Sequence, residues 1–75
     1  NDLNWIPKEI GQLTHLKILD LSRNQLKSIP NEIRGLAKLE NLYLHDNQLD
    51  SISPSIGHLL SLKDLRIWNN PNLTD

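Results

Sequence analysis

Moved along itself by 23 residues, the chain meets its own pattern. Leu16, Leu19, Leu21, Asn24, Leu26, Ile29, Ile33 and Leu36 fall on Leu39, Leu42, Leu44, Asn47, Leu49, Ile52, Ile56 and Leu59. A second shift brings in Leu62, Leu65, Ile67 and Asn70, and a backward shift brings in Asn1, Leu3, Ile6, Ile10 and Leu13. Self-similarity at this period marks a chain built from stacked identical units. Each unit presents an apolar edge to both neighbours and cannot bury it alone, so stacking is the condition of stability. Of the apolar residues only Trp5, Ile18, Ala37, Tyr43, Leu60 and Trp68 fall off this grid, while Leu73 misses its register by one.

Inside each unit the periodicity changes. Leu19-Asp20-Leu21-Ser22, Leu42-Tyr43-Leu44-His45 and Leu65-Arg66-Ile67-Trp68 alternate with period two, the pattern of a strand with one buried face. An asparagine ends each strand. Ile29-Pro30 then leads into Ile33 and Leu36, three apart, which predicts one or two turns of helix with the proline at its start. In the next unit the proline stands one place later, at Pro54, with Ser53 as a cap. Gly11, Gly35 and Gly57 stand in or beside the short helices, where close packing or a tight exit calls for them.

The unit reads Leu-x-x-Leu-x-Leu-x-x-Asn-x-Leu, and over the whole chain it resembles the leucine-rich repeat. Its 23-residue length and its Leu-x-x-Ile-Pro turn, as in Leu26-Lys27-Ser28-Ile29-Pro30, are similar to the intracellular group. That group includes Ras-pathway scaffolds and bacterial effectors. Asn70-Pro71-Asn72-Leu73 departs from the pattern by one inserted residue. The resemblance implies an α/β solenoid, with a curved parallel sheet on the concave face and short helices or 3₁₀ turns on the convex face. It also implies protein binding through the concave face, and its alternative is the targeting arm of a larger enzyme such as a ubiquitin ligase, kinase, phosphatase or cyclase.

The expected organisation is a single array: a partial repeat 1–15, full repeats 16–38 and 39–61, and a partial repeat 62–75. Both ends fall in mid-unit. The chain therefore reads as part of a longer array, with further repeats or capping elements covering each end. Eight Lys+Arg stand against nine Asp+Glu with no basic run, which argues against a nucleic-acid partner. No apolar run is long enough to span a membrane. Cysteine is absent, which removes thiol chemistry and leans towards a reducing, cytoplasmic setting, the host cytoplasm if the protein is a secreted effector.

The register asparagines Asn1, Asn24, Asn47 and Asn70 read as structural. Their amides point inward where the strand turns and pair with backbone groups of their own and adjacent turns, because an unpaired buried amide is costly. The strand face opposite the leucines is the candidate binding surface. Strands about 4.8 Å apart place its residues in columns: Ile18-Asn41-Asp64, Asp20-Tyr43-Arg66 and Ser22-His45-Trp68. Tyr, Trp and Arg are enriched at binding hot spots. Tyr43, His45 and Trp68 could instead form only cross-strand pairs. A parallel sheet normally has both faces covered, and no segment of this chain is left to cover this one, which favours recognition.

No enzyme is expected in this segment. His15, His45 and His58 occupy three registers and give no ligand pair, so no metal is expected. There is no nucleophile motif and no phosphate loop, so neither catalytic residues nor a cofactor is expected. Lys17, Glu40 and Lys63 form a solvated column of alternating sign at the strand entry. Trp5 is expected to pack on a preceding unit, and Leu60 at the turn into the next strand.

Overall fold

The computed structural model describes residues 3–73. A short 3₁₀ helix and a short strand alternate along the chain: 3₁₀ Lys8–Gln12, β1 Ile18–Asp20, 3₁₀ Asn31–Gly35, β2 Asn41–Tyr43, 3₁₀ Pro54–His58 and β3 Asp64–Arg66. The strands form one parallel sheet in the order β1-β2-β3. Ile18 pairs with Asn41 and Asn41 with Asp64, so each strand lies one 23-residue unit from the next. Each strand is three residues long and stops before Leu21, Leu44 and Ile67. Pairing nevertheless runs on past the strand ends, with Leu21 and Arg23 N–H donating to Tyr43 and His45 carbonyls, and Leu44 and Asp46 N–H donating to Arg66 and Trp68 carbonyls.

The three-residue spacing of Ile33 and Leu36 is the period of a 3₁₀ turn, and all three helices take that form. Ile10, Ile33 and Ile56 N–H each donate to the carbonyl three residues earlier, at 3.1 Å. Pro7 and Pro30 occupy the cap position in extended conformation, where a missing N–H costs no bond. Ser53 takes that position in the third helix, and its hydroxyl accepts from Ser55 N–H.

The leucines meet between these layers. Leu26, Ile33, Leu36, Leu39, Leu42, Leu44 and Leu49 are fully buried. The outer layers are barer: Leu65 is 38% exposed although its register mate Leu42 is at 0%, and Leu13 is 50% exposed although Leu36 is at 0%.

The strand-to-turn corner is built the same way three times. Arg23, Asp46 and Asn69 have left-handed backbone, with φ of 58–60°. That geometry turns the following asparagine inward. Asn47 is 1% exposed; its Nδ2 donates to the Leu21 and Leu44 carbonyls at 2.9 and 3.0 Å, and its Oδ1 accepts from Leu26 N–H at 3.1 Å. Asn70 repeats this with Leu44 O, Ile67 O and Leu49 N–H. Asn24 accepts from Leu3 N–H and donates to Leu21 O and Ser22 O. Asn1 lies outside the described residues.

Two glycines let the first and second helices touch. A Cβ on Gly35 would stand 2.5 Å from the Gly11 carbonyl oxygen, and one on Gly11 would stand 2.5 Å from the Glu32 carbonyl oxygen. At Gly57 a Cβ would meet nothing within 4 Å, so close packing does not account for that residue. Leu60 does not pack at the turn as its sequence position suggested. It is 91% exposed, because the turn before β3 carries it outside the layer of leucines. Trp5 is 66% exposed.

Two outcomes follow for urea denaturation. Gly35→Ala lowers stability by about 1–3 kcal/mol through the backbone clash, whereas Gly57→Ala leaves it unchanged or raises it by up to about 1 kcal/mol. Asn47→Ala costs about 3 kcal/mol or more, because it strips bonds from buried backbone groups, and Asn24→Ala costs less because that corner is only partly buried.

Candidate functional site

The leucine-bearing face of the sheet is fully buried at Leu42 and barer at Leu65, and among the described residues nothing covers the opposite face. Strand pairing puts Ile18, Asn41 and Asp64 in one column and Asp20, Tyr43 and Arg66 in the next. Ser22, His45 and Trp68 follow beyond the strand ends, held in line by the continuing backbone bonds.

Arg66 organises one half of the face. Its guanidinium lies 4.5 Å from the Tyr43 ring centroid and 5.9 Å from that of Trp68. Its Nη2 donates to Asp64 Oδ2 at 3.1 Å, and Nε donates to both carboxylate oxygens at 3.3 Å. The Asp64 carboxylate holds the guanidinium's pKa above its ordinary value. A planar cation fixed by a forked carboxylate and laid on an aromatic ring has little rotamer freedom left to lose on binding. Asn41 Nδ2 donates to the Tyr43 hydroxyl at 3.0 Å and orients the phenol.

The other half is aromatic. His45 and Trp68 stack with centroids 4.7 Å apart and planes 24° apart, and Tyr43 leans towards His45 at 6.2 Å. Trp68 remains 57% exposed. His45 Nδ1 is buried and has no partner among the described residues. A bare buried ring nitrogen costs on the order of 1–3 kcal/mol, so the stack is kept against a local penalty.

Asp20 stands apart on β1. Ser22 N–H and Ser22 hydroxyl both donate to its Oδ1, at 3.0 and 2.6 Å. These two bonds, hydroxyl first, hold the Asp20 carboxyl below its ordinary value, with smaller help from the charges of His45 and Arg23. Ile18 is 59% exposed at the start of the same strand. The columns thus bring together Arg66, Asp64, Tyr43, His45 and Trp68, tie Asn41 to Tyr43 and Ser22 to Asp20, and leave Ile18 by itself.

Sequence reasoning passed over the row at the corner. Arg23 Nε lies 4.0 Å from Asp46 Oδ2, and Asn69 Nδ2 donates to Asp46 Oδ1, which extends the face by one polar row. Their shared register just before the asparagines was the available signal. Among the described residues no three His, Asp or Glu side chains gather where they could hold a metal ion. No described helix is long and apolar enough to cross a membrane.

Strand, corner and short helix repeating at a fixed interval, with every strand in one parallel sheet, define a repeat protein built from stacked coils. A family model described as a leucine-rich repeat region matches residues 1–74. The chain belongs to the leucine-rich repeat family, whose repeat regions are non-catalytic modules of protein–protein interaction. No curated protein matches the chain.

The pH behaviour of Asp20 follows from its bonds. A carboxyl depressed in the folded state contributes stability above its unfolded value, near 3.8, and loses it as pH falls through the lower folded value. Titration followed by carboxyl ¹³C NMR shows Asp20 ionising below 3.8, and Ser22→Ala returns it upwards.

Proposed function

We propose that this chain is a protein-recognition module that docks a partner protein on the open face of its sheet. The observation that carries the proposal is the pre-set aromatic and cationic cluster of Tyr43, His45, Arg66 and Trp68 on a parallel sheet face that no other described segment covers. Parallel sheets are ordinarily covered on both faces, so a partner supplies the missing cover. Aromatic rings bring contact area, and a fixed guanidinium brings orientation. Asp20 and Ser22 belong to the same surface, and Ile18, Asn41 and Asp64 form its rim.

The sheet side is read as concave. Strands stack more closely than the helices behind them, and adding units accumulates a small rotation into a curve. Further coils of the same kind cover the two outer layers. The support is the exposure of Leu13 and Leu65, whose register mates inside the stack are fully buried. The setting proposed for this binding is the cytoplasm.

Alanine substitution separates binding from folding. Tyr43→Ala and Trp68→Ala weaken partner binding in isothermal titration by about tenfold or more, while circular dichroism is unchanged. Leu44→Ala removes a fully buried side chain and costs about 2–5 kcal/mol, so the fold itself is lost or badly weakened. Normal binding by both alanine variants of the open face moves the docking site elsewhere.

A further inference from the structure

The columns of the sheet hide a diagonal. Ile18 starts the first column on β1, Tyr43 is in the second on β2, and Trp68 is in the third beyond β3. Neighbours on this line are one strand apart and two residues along, about 8 Å, so the stripe runs about 16–17 Å across the sheet. Its two ends are more than half exposed, at 59% for Ile18 and 57% for Trp68.

The two flanks of the stripe differ in what they have left to offer. On one side Asn41 Nδ2 is engaged by the Tyr43 hydroxyl, and Asp64 and Arg66 neutralise each other through three hydrogen bonds. On the other side stands Asp20. Both Ser22 bonds go to Oδ1, and among the described residues no donor meets Oδ2. Asp20 is exposed, and its bonds to Ser22 keep it anionic. It lies directly across from Tyr43, one strand spacing, about 4.8 Å, from the middle of the stripe.

From this arrangement we infer that the partner docks a basic–apolar segment: two aliphatic or aromatic side chains seated at Ile18 and Trp68, with a lysine or arginine between them whose head reaches Asp20 Oδ2. This rests on the docking face proposed above and names what that face selects. Within the three columns an acidic segment meets no open cation, because Arg66 is committed to Asp64; Arg23 lies outside them, on the corner row 4.0 Å from Asp46. A purely apolar segment would cover Asp20 and leave its charge unpaired, which is costly. The lone carboxylate acts as a filter as well as a contact.

The test uses the intact chain and a phage-displayed library of random linear peptides. Sequences enriched on the wild-type protein carry a Lys or Arg flanked by large apolar residues. Their affinity falls by about tenfold on Asp20→Asn and weakens with added salt, while the fold, followed by circular dichroism, is unchanged. Enrichment of acidic or uncharged peptides, or of none, overturns the inference. Peptides that lose affinity on Tyr43→Ala and Trp68→Ala but ignore Asp20→Asn overturn the basic preference and leave the docking face standing. Peptides that ignore all three substitutions remove both.

Discussion

A single amide closes each corner of this protein. The chain leaves the sheet through a left-handed residue, and the asparagine that follows spans two coils at once. Asn47 gives both hydrogens to carbonyls, one in its own coil and one in the coil before, and its oxygen accepts the N–H of Leu26. A side chain there needs donor and acceptor on one short stem. Aspartate offers no donor, and serine lacks the second donor. The backbone at this corner is buried and cannot reach water, so the amide satisfies groups that would otherwise oppose folding.

Everything outward of the corner inherits its regularity. Because neighbouring corners are bridged by the same bond, strands that are separate in sequence lie in exact 23-residue register. That register turns scattered residues into columns. Tyr43 and Arg66 meet because they are one unit apart, and so do His45 and Trp68. On the docking face proposed above, cross-strand pairing and recognition do not compete: pairs that hold rings and guanidinium in place lower the entropy cost of any binding there.

The two sides of the sheet divide the labour by side-chain type. Leucines fill the inner side at zero exposure in the middle coil, and their aliphatic shape suits a dry, closely packed layer. The outer side carries aromatic and charged groups that tolerate both water and contact. Several of its polar atoms are already saturated, by Asp64 on Arg66, Asn41 on Tyr43 and Ser22 on Asp20. The indole of Trp68, the side chain of Ile18 and one oxygen of Asp20 remain open, and they are what the proposed docking face offers a partner.

The recurrence of leucine and asparagine determined the repeating unit, the place of each strand and the sidedness of the sheet. Those features follow from side-chain period and can be read from a chain without knowing what it touches. The alternation at Leu42-Tyr43-Leu44 already said that Tyr43 points away from the core. Contacts between residues 21 to 26 positions apart were beyond that reach, because they depend on how coils are set against one another. Only the tertiary structure decided that His45 stacks on Trp68, that Arg66 forks onto Asp64 while lying on Tyr43, and that a Cβ at Gly35 would strike Gly11 while one at Gly57 would meet nothing. It also decided that Arg23 takes the left-handed backbone that Asp46 and Asn69, as residues tolerant of it, take in the same register, and that Leu60 is left in water. Periodicity is a property of the chain; which neighbours meet is a property of the stack, set by the rotation and closeness of one coil on the next.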